Sequence, residues 1–108
     1  MEKKWMDIKR AIEYPKEGIL SKEIISAHTA LFCMAAASRI SDHASTREGF
    51  VYVLEGDGIF KLGGEKIKME PGVLIHLEKN AVHSLNADKN TSFILVLVDQ
   101  NLNNRLKW

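Results

Sequence analysis

The sequence has little of what holds small secreted domains together or anchors proteins in membranes. Its 108 residues include one cysteine, Cys33, so no intrachain disulfide forms and the fold depends on its core. Cys33 lies in an apolar run and is expected to be a small buried side chain. No segment approaches the roughly 18 apolar residues of a transmembrane helix. Residues 1–7 include four charged side chains in a region where a signal peptide would be apolar. We therefore expect a cytoplasmic protein without a membrane partner.

An excess of charge of one sign is also missing. The chain has 15 Lys and Arg against 14 Asp and Glu, a formal net charge of +1. Nucleic-acid modules carry a basic face because each phosphate contact uses a lysine or arginine. The balance therefore predicts no nucleic-acid partner. The length and the 45% hydrophobic content fit one domain spanning residues 1–108.

Short apolar segments separated by turn signals fill most of the chain. Asp57-Gly58, Gly63-Gly64 and Pro71-Gly72 are turn dipeptides, and Asp-Gly between apolar runs is a strong hairpin signal. The helices that alternate with strands in a parallel α/β sheet are missing from the pattern. The sequence therefore predicts an all-β fold, a small antiparallel β-barrel or sandwich. The predicted strands are Lys22–Ala27, Thr29–Ile40, Gly49–Glu55, Ile59–Leu62, Lys66–Met69, Val73–Leu77, Val82–Ala87 and Ser92–Val98.

The two ends of the chain lack a clear strand pattern. Residues 1–20 predict a short irregular N-terminal segment that crosses the barrel, with Pro15 and Gly18 ending it. Residues 99–108 predict a polar C-terminal tail. Its Leu102, Leu106 and Trp108 have near-helical spacing, so the tail either docks as one helical turn or frays.

The four histidines, His28, His43, His76 and His83, are the candidate functional residues. Imidazole is the commonest protein ligand for transition metals and exchanges protons near neutral pH. His28 falls in a predicted turn and is expected on the surface. The other three lie in or beside predicted strands, so a small barrel is expected to bring them towards one pocket.

Residues 37–87 resemble the two motifs of the cupin superfamily. The strand and hairpin Tyr52–Gly58 are similar to the end of the first motif. Counting back from it places Gly49 at the usual Glu, Ser45 and His43 at the two usual His positions, and Ala37 at the leading Gly.

The second motif matches in part. Gly72 and His83 stand at the expected spacing, while Glu78, Asn80 and Ala87 replace the usual Pro, Gly and Asn. The resemblance implies a double-stranded β-helix, also called a jelly roll, in one cupin domain that usually forms dimers.

The resemblance also implies a candidate metal site. A typical cupin site has three His and one Glu, and only His43 and His83 match ligand positions here. His76 is the predicted third ligand, Glu48 is an alternative, and Asp42 is a weaker candidate. Fe, Zn, Ni, Mn or Cu would suit imidazole ligands, and a site without metal is equally expected.

The predicted function is small-molecule binding in a pocket lined by His43, Ser45, Glu48, His76 and His83. Three alternatives remain open. The first is a metal-dependent oxygenase, isomerase or decarboxylase, and the second is a metal-free enzyme with a histidine general base. The third is a metabolite-sensing module without chemistry. The sequence does not identify the ligand, because cupins host many functions.

A homodimer is predicted from one strand. Phe50, Tyr52 and Leu54 alternate with Val51 and Val53, so this strand has two apolar faces. One face fills the barrel, and a second copy is expected to cover the other.

Overall fold

The computed structural model describes residues 4–98. Over this range the chain is almost entirely antiparallel β-structure, which confirms the predicted fold class. The elements in chain order are α1 (Ile8–Ala11), β1 (Ile19–Ile24), β2 (Ser26–Met34), β3 (Arg39–Ala44), β4 (Gly49–Glu55), β5 (Gly58–Leu62), β6 (Glu65–Met69), β7 (Leu74–Leu77), β8 (Val82–Ala87) and β9 (Thr91–Leu97).

The strands form two sheets that face each other. A five-stranded sheet has the order β1-β2-β9-β4-β7, and a four-stranded sheet has the order β3-β8-β5-β6. The connections from β2 to β3, β4 to β5, β6 to β7 and β8 to β9 are short, and each passes from one sheet to the other. Each of these strands therefore faces, in the other sheet, the strand to which it is joined. Among the described strands, only β1 has no facing strand in the other sheet.

This winding gives the barrel two distinct ends. We call one the turn end; it holds the connections 35–38, 56–57, 70–73 and 88–90. We call the other the histidine end; it holds the β1–β2 hairpin at residue 25, the β5–β6 hairpin at 63–64, and the loops 45–48 and 78–81. His43 lies near the end of β3 and His83 near the start of β8, so both lie at the histidine end.

The core lies between the sheets, where side chains alternate between the inner and outer faces of each strand. Phe32 of β2 and Phe93 of β9 stack on the inner face with their ring centroids 4.9 Å apart. The buried residues of this core are Met34, Val51, Val53, Phe60, Met69, Ile75, Leu77, Leu85, Ala87 and Phe93.

The N-terminal segment covers part of the outer face of the five-stranded sheet. It packs on a second buried cluster formed by Ile24, Leu31 and Cys33. The Tyr14 hydroxyl fixes the segment by donating to Glu55 Oε1 at 2.7 Å. Burial raises the pKa of Tyr14 to about 12, so the phenol keeps the proton that it donates.

Two predicted strands are corrected by the structure. The predicted strand Thr29–Ile40 is the end of β2, a turn at 35–38 and the start of β3. The turn places Ala37 at φ 72°, and its amide donates to the Ala87 carbonyl at 2.8 Å. The predicted strand Lys22–Ala27 is likewise a hairpin, with Ile25 at φ 58°. Neither turn contains the glycine or proline by which turns were recognised in the sequence.

No helix within residues 4–98 is long and apolar enough to cross a membrane. The predicted C-terminal tail, residues 99–108 with Leu102, Leu106 and Trp108, lies outside the described residues, as do residues 1–3. The single domain expected over residues 1–108 stays a prediction.

Candidate functional site

His83 forms part of the inner wall at the histidine end. It alternates with Leu85 and Ala87, which lie in the core, so its side chain points between the sheets. Only 6% of the residue is exposed. Its ring lies almost parallel to that of Phe60, with centroids 5.5 Å apart and an interplanar angle of 7°. An apolar ring therefore fixes the imidazole plane from one side.

His43 lies beside His83 on the neighbouring strand and forms the rim. The two residues are direct partners in the antiparallel pairing of β3 and β8. Their rings meet edge to face, with centroids 4.1 Å apart and an interplanar angle of 61°. His43 is exposed, whereas His83 is buried, so the pair extends from solvent to the core.

The hydrogen bonds of the two imidazoles fix their tautomers. Nδ1 of His43 lies 2.9 Å from the Ser41 carbonyl, and Nδ1 of His83 lies 3.0 Å from the Ala81 carbonyl. A carbonyl oxygen only accepts, so each Nδ1 carries a proton and donates it. In the neutral ring, each Nε2 then keeps an unprotonated lone pair. The pair therefore offers two basic nitrogen atoms to a ligand, a proton or a metal ion.

The environment of His83 favours the neutral ring. Burial is the main cause and lowers the pKa of His83. The bond to the Ala81 carbonyl raises the pKa, and His43 nearby lowers it further. Because the net direction is downward, His83 presents a neutral imidazole at pH 7.

Gly49 stands where the resemblance expects a glutamate ligand, and leucine side chains fill that space. Gly49 is buried at the start of β4, and its missing Cβ would point at the Val96 carbonyl oxygen at 3.0 Å. The Cβ would also meet Leu97 Cδ2 at 3.2 Å and Leu95 Cδ1 at 3.5 Å. Ser45, at the second histidine position, uses its Oγ to accept from the Arg47 amide at 3.0 Å. Neither position supplies a metal ligand.

His76 and Glu48 form a separate pair outside the barrel. Ile75 and Leu77 lie in the core, so alternation along β7 turns His76 to the outer face. Nε2 of His76 lies 2.6 Å from Glu48 Oε2, and its ring stacks on Phe50 with centroids 5.0 Å apart. The sequence left the orientation of His76 open while naming it as a pocket and metal candidate, and the structure places it outside the pocket.

The structure thus divides the predicted site residues into two groups. His43 and His83 meet on the inner face, while His76 meets Glu48 on the outer face. Within residues 4–98, no group of three or more His, Cys, Asp or Glu side chains is placed to hold a metal ion. Two imidazoles fall short of the three protein ligands usual in a catalytic zinc site, so this donor set does not fit a resident metal.

Sequence reasoning missed a contact between His28 and Arg47. Arg47 Nη2 lies 3.0 Å from His28 Nδ1. His28, expected on the surface, is exposed and also lines a cavity of about 230 Å³ together with Ala30, Leu95 and Leu97. Alternation along β2 would have placed His28 on the inner face with Ala30, had the predicted strand begun before Thr29.

A larger depression, about 660 Å³, lies at the turn end. Turn residues line it, and its charged groups include a 3.8 Å ion pair between Lys68 and Glu70. Both side chains of that pair are 59% exposed. The depression contains no histidine and no buried polar side chain among its lining residues, so its size alone does not make it the candidate site.

Solved structures share this fold at low sequence identity. A conserved protein of unknown function from Streptococcus pyogenes has a TM-score of 0.81 and 20% identity, over 91% of this chain and 89% of that one. A cupin superfamily protein from Desulfitobacterium hafniense has a TM-score of 0.77 and 16% identity, over 87% and 90%. An uncharacterised protein with a double-stranded β-helix domain from Klebsiella pneumoniae has a TM-score of 0.78 and 12% identity, over 93% of each chain. These similarities establish the fold.

No curated protein sequence matches the chain. The family model described as the cupin domain matches residues 30–99, more than half of the chain. The chain therefore belongs to the cupin family.

Proposed function

We propose that the protein binds a small organic molecule at the histidine end of its barrel, without a resident metal. The observation that carries this proposal is the His43–His83 pair. Both Nδ1 protons are donated to carbonyls, and both Nε2 atoms have no hydrogen-bond partner within residues 4–98. The buried Phe60 ring stacks on His83 and fixes that imidazole. Small-molecule sites use a few fixed polar groups in this way to orient a ligand.

The metal-free form of the proposal rests on the donor set. The two imidazoles are adjacent, but Gly49 and Ser45 provide no further ligand, and leucine side chains fill the space over Gly49. Transition metals from iron to copper remain the ions that such imidazoles would select if one bound. Elemental analysis of protein purified without chelators is expected to find no stoichiometric transition metal. A stoichiometric metal that His43→Ala removes would overturn this part.

Binding is tested by a metabolite screen on three chains. Compounds that raise the melting temperature of the wild type are retested on His43→Ala and His76→Ala. Because His43 lies on the inner face and His76 on the outer face, hits are expected to lose affinity in His43→Ala and to keep it in His76→Ala. Equal losses in both variants would instead support the three-histidine ligand set predicted from the sequence.

A second candidate function, acid–base catalysis, is favoured by the protonation state of His83. A buried neutral imidazole with an unprotonated Nε2 is suited to accept a proton from a bound substrate. The Nδ1 bond to the Ala81 carbonyl would orient that base and stabilise the imidazolium that forms. Turnover of a screening hit that disappears in His83→Phe, while the hit still binds, would establish this function. Binding without turnover would leave a metabolite-sensing role.

The homodimer also enters as a proposal. Its support is an exposed apolar strip on the outer face of the five-stranded sheet, where Tyr52 is 44% exposed, Leu74 63% and Val96 39%. The registers Tyr52–Leu74 and Phe50–Val96 place these residues on adjacent strands of one face. Leu74→Lys is expected to convert a dimer to a monomer in light scattering. A wild-type chain that is monomeric at micromolar concentration would refute the dimer.

The cytoplasmic location expected from the sequence stays a prediction.

A further inference from the structure

A cavity of about 230 Å³ lies on the inner face of the five-stranded sheet. Strands β1, β2 and β9 line it, at the edge where β1 has no strand opposite. Leu95 and Leu97 form its apolar wall, and the same two side chains fill the space over Gly49. The cavity therefore adjoins the position at which the cupin motif expects its glutamate ligand, at the histidine end of the barrel.

His28 lines this cavity, and Arg47, which is not a lining residue, contacts His28 and so brings a positive charge next to the cavity. An arginine only donates, so His28 Nδ1 accepts from Arg47 Nη2 and the His28 proton lies on Nε2. The remaining guanidinium N–H groups and the Nε2–H of His28 are donors, and none of them has a carboxylate ion pair within the described part of the chain. Two adjacent N–H donor groups, one with a full positive charge, match the oxygen atoms of a carboxylate.

The loop that carries Arg47 is fixed to a strand that lines the cavity. Arg47 belongs to loop 45–48, which connects β3 to β4 and crosses the histidine end. The Glu48 carbonyl accepts from the Val98 amide at 2.8 Å, so the loop is fixed to the end of β9 beside Leu97. Arg47 is half-buried, and its contact with His28 holds the guanidinium group beside a residue that lines the cavity.

The opposite side of the cavity carries a negative charge. Glu23 of β1 lines it and has no ion pair with another residue in 4–98, whereas Lys22 pairs with Leu31 of the outer-face cluster, so its side chain points to the other face. Glu23 shares the inner face with Ala30, its partner in β2. Because β9 lies on the other side of β2, Glu23 and the loop that carries Arg47 approach the cavity from different sides.

We infer that this cavity is a carboxylate-binding subsite, which takes a small organic acid with its carboxylate on Arg47 and His28 and its apolar body on Leu95 and Leu97. The inference rests on the proposed function and deepens it, since it names the class of ligand. The small volume excludes large cofactors, because drug-sized ligand pockets start at about 300 Å³.

Benzoate and benzamide test the inference, because they share shape and differ in charge. The ¹⁵N-labelled full chain is titrated with each to high millimolar concentration, with sodium chloride holding ionic strength constant. Backbone amide shifts of Ala30, Leu95 and Leu97 report the cavity, and those of His43 and His83 report the pair. Benzoate is expected to bind in the cavity about tenfold more tightly than benzamide, because only benzoate forms charge-assisted hydrogen bonds with Arg47.

Three variants test which residues bind the carboxylate. Arg47→Gln is expected to weaken benzoate binding about tenfold, to the level of benzamide. Arg39→Gln is the matched control, because it removes the same charge from an exposed residue near the turn end and is expected to leave binding unchanged. Glu23→Gln is expected to tighten benzoate binding slightly, because a negative charge that lines the same cavity is removed.

Equal affinities for benzoate and benzamide, or equal losses in Arg47→Gln and Arg39→Gln, would overturn the inference. If the shifts at His43 and His83 persist in that case, small-molecule binding at the histidine end still stands. Absence of any shift in the cavity with benzoate also overturns the inference. Shifts confined to the turn end with both probes would overturn the inference and the proposed function together.

Discussion

The two ends of the barrel use their polar groups in different ways. At the turn end, polar side chains bond to backbone: Thr91 Oγ1 accepts from the Asp57 amide at 3.1 Å and donates to the Lys89 carbonyl at 2.8 Å. Asn90 Oδ1 accepts from the Ala36 amide at 3.0 Å. At the histidine end, His43 and His83 each use one nitrogen on the backbone, and the other nitrogen has no hydrogen-bond partner within residues 4–98. The polar groups at the turn end thus connect the fold, whereas the proposed function assigns those at the histidine end to a ligand.

The larger cavity therefore does not lie at the end of the barrel that carries the unpaired histidine nitrogen atoms. The larger depression, about 660 Å³, is at the turn end, and the cavity beside the histidine end is about 230 Å³. The burial of His83, the fixed tautomers and the unpaired nitrogen atoms belong to the His43–His83 pair at the histidine end, which lines neither cavity. The comparison predicts that substitutions at the turn end change stability, and that substitutions at the histidine end change binding.

The largest effect is expected from Gly56→Ala at the turn end. Gly56 has φ 123°, and a Cβ there would lie 2.4 Å from both the Cα and the Oγ1 of Thr91. The contact includes backbone, so the β4–β5 turn must move, at a cost of about 4 kcal/mol in the free energy of unfolding. Urea unfolding measures this loss.

Gly63→Ala provides the matched comparison at the histidine end. Gly63 also has a positive φ, 61°, but a Cβ there meets nothing within 4 Å. Only backbone strain remains, so the expected loss is about 1 kcal/mol. Similar losses in the two variants would contradict the contrast between the ends.

The next effect is expected from Thr91→Val. Thr91 is fully buried, and the change keeps the side-chain shape while it leaves the Asp57 amide without its acceptor. An unsatisfied buried donor costs about 1–2 kcal/mol. Thr29→Val is the control at the histidine end, because Thr29 is half-buried and its hydroxyl hydrogen-bonds to the exposed Ser26 hydroxyl rather than to a backbone amide. A cost for Thr29→Val that equals the cost for Thr91→Val would remove the distinction.

A smaller effect is expected on the pH dependence of stability. Burial lowers the pKa of folded His83 below its ordinary value of 6.5, so the unfolded chain binds a proton more readily than the folded chain. The stability associated with His83 is therefore present above about pH 6.5 and is lost as the pH falls below it. Urea unfolding at pH 7.5 and 5.5 should show this loss in the wild type.

His83→Phe isolates that contribution. The variant keeps a ring stacked on Phe60 but has no proton to gain, so its stability is expected to fall less between the two pH values. The other three histidines are common to both chains. An equal or steeper fall in His83→Phe would contradict a neutral, buried His83.

The smallest effect is expected from Ala37→Gly. Ala37 has φ 72°, a conformation that costs an alanine about 1–2 kcal/mol relative to glycine. Part of the gain is offset because glycine has a larger entropy in the unfolded chain. The variant should be about 0.5 kcal/mol more stable, measured as a shift of the urea midpoint at constant slope. A loss of stability would show that Ala37 contributes contacts that outweigh its backbone strain.

Much of the fold could be predicted because strong local signals mark it. The predicted bounds of Gly49–Glu55 and Val82–Ala87 coincide with β4 and β8, where turns flank β-branched and apolar residues. Ala37 occupies the leading glycine position of the first motif. Asn80 occupies the later of the two glycine positions in the second motif. Both residues still adopt a positive φ, so the backbone keeps the motif's shape where the sequence departs from it.

The candidate site was less predictable, because it depends on orientation and long-range pairing. The spacing from the motif identified His43 and His83, which the structure places side by side. Alternation between Ile75 and Leu77 turned His76 outward, but only the known position of the core decides which face is inner. The contact between Arg47 and His28 joins residues 19 apart across a turn that the sequence did not mark.

The most direct test of the central claim is a fragment screen followed by amide shifts of the full chain. The account predicts that ligands shift the amides of His43, His83 and Leu97 at the histidine end and leave those of Asp57, Asp88 and Asn90 unmoved. Ligands that cluster on Asp57, Asp88 and Asn90, in the larger depression at the turn end, would contradict it.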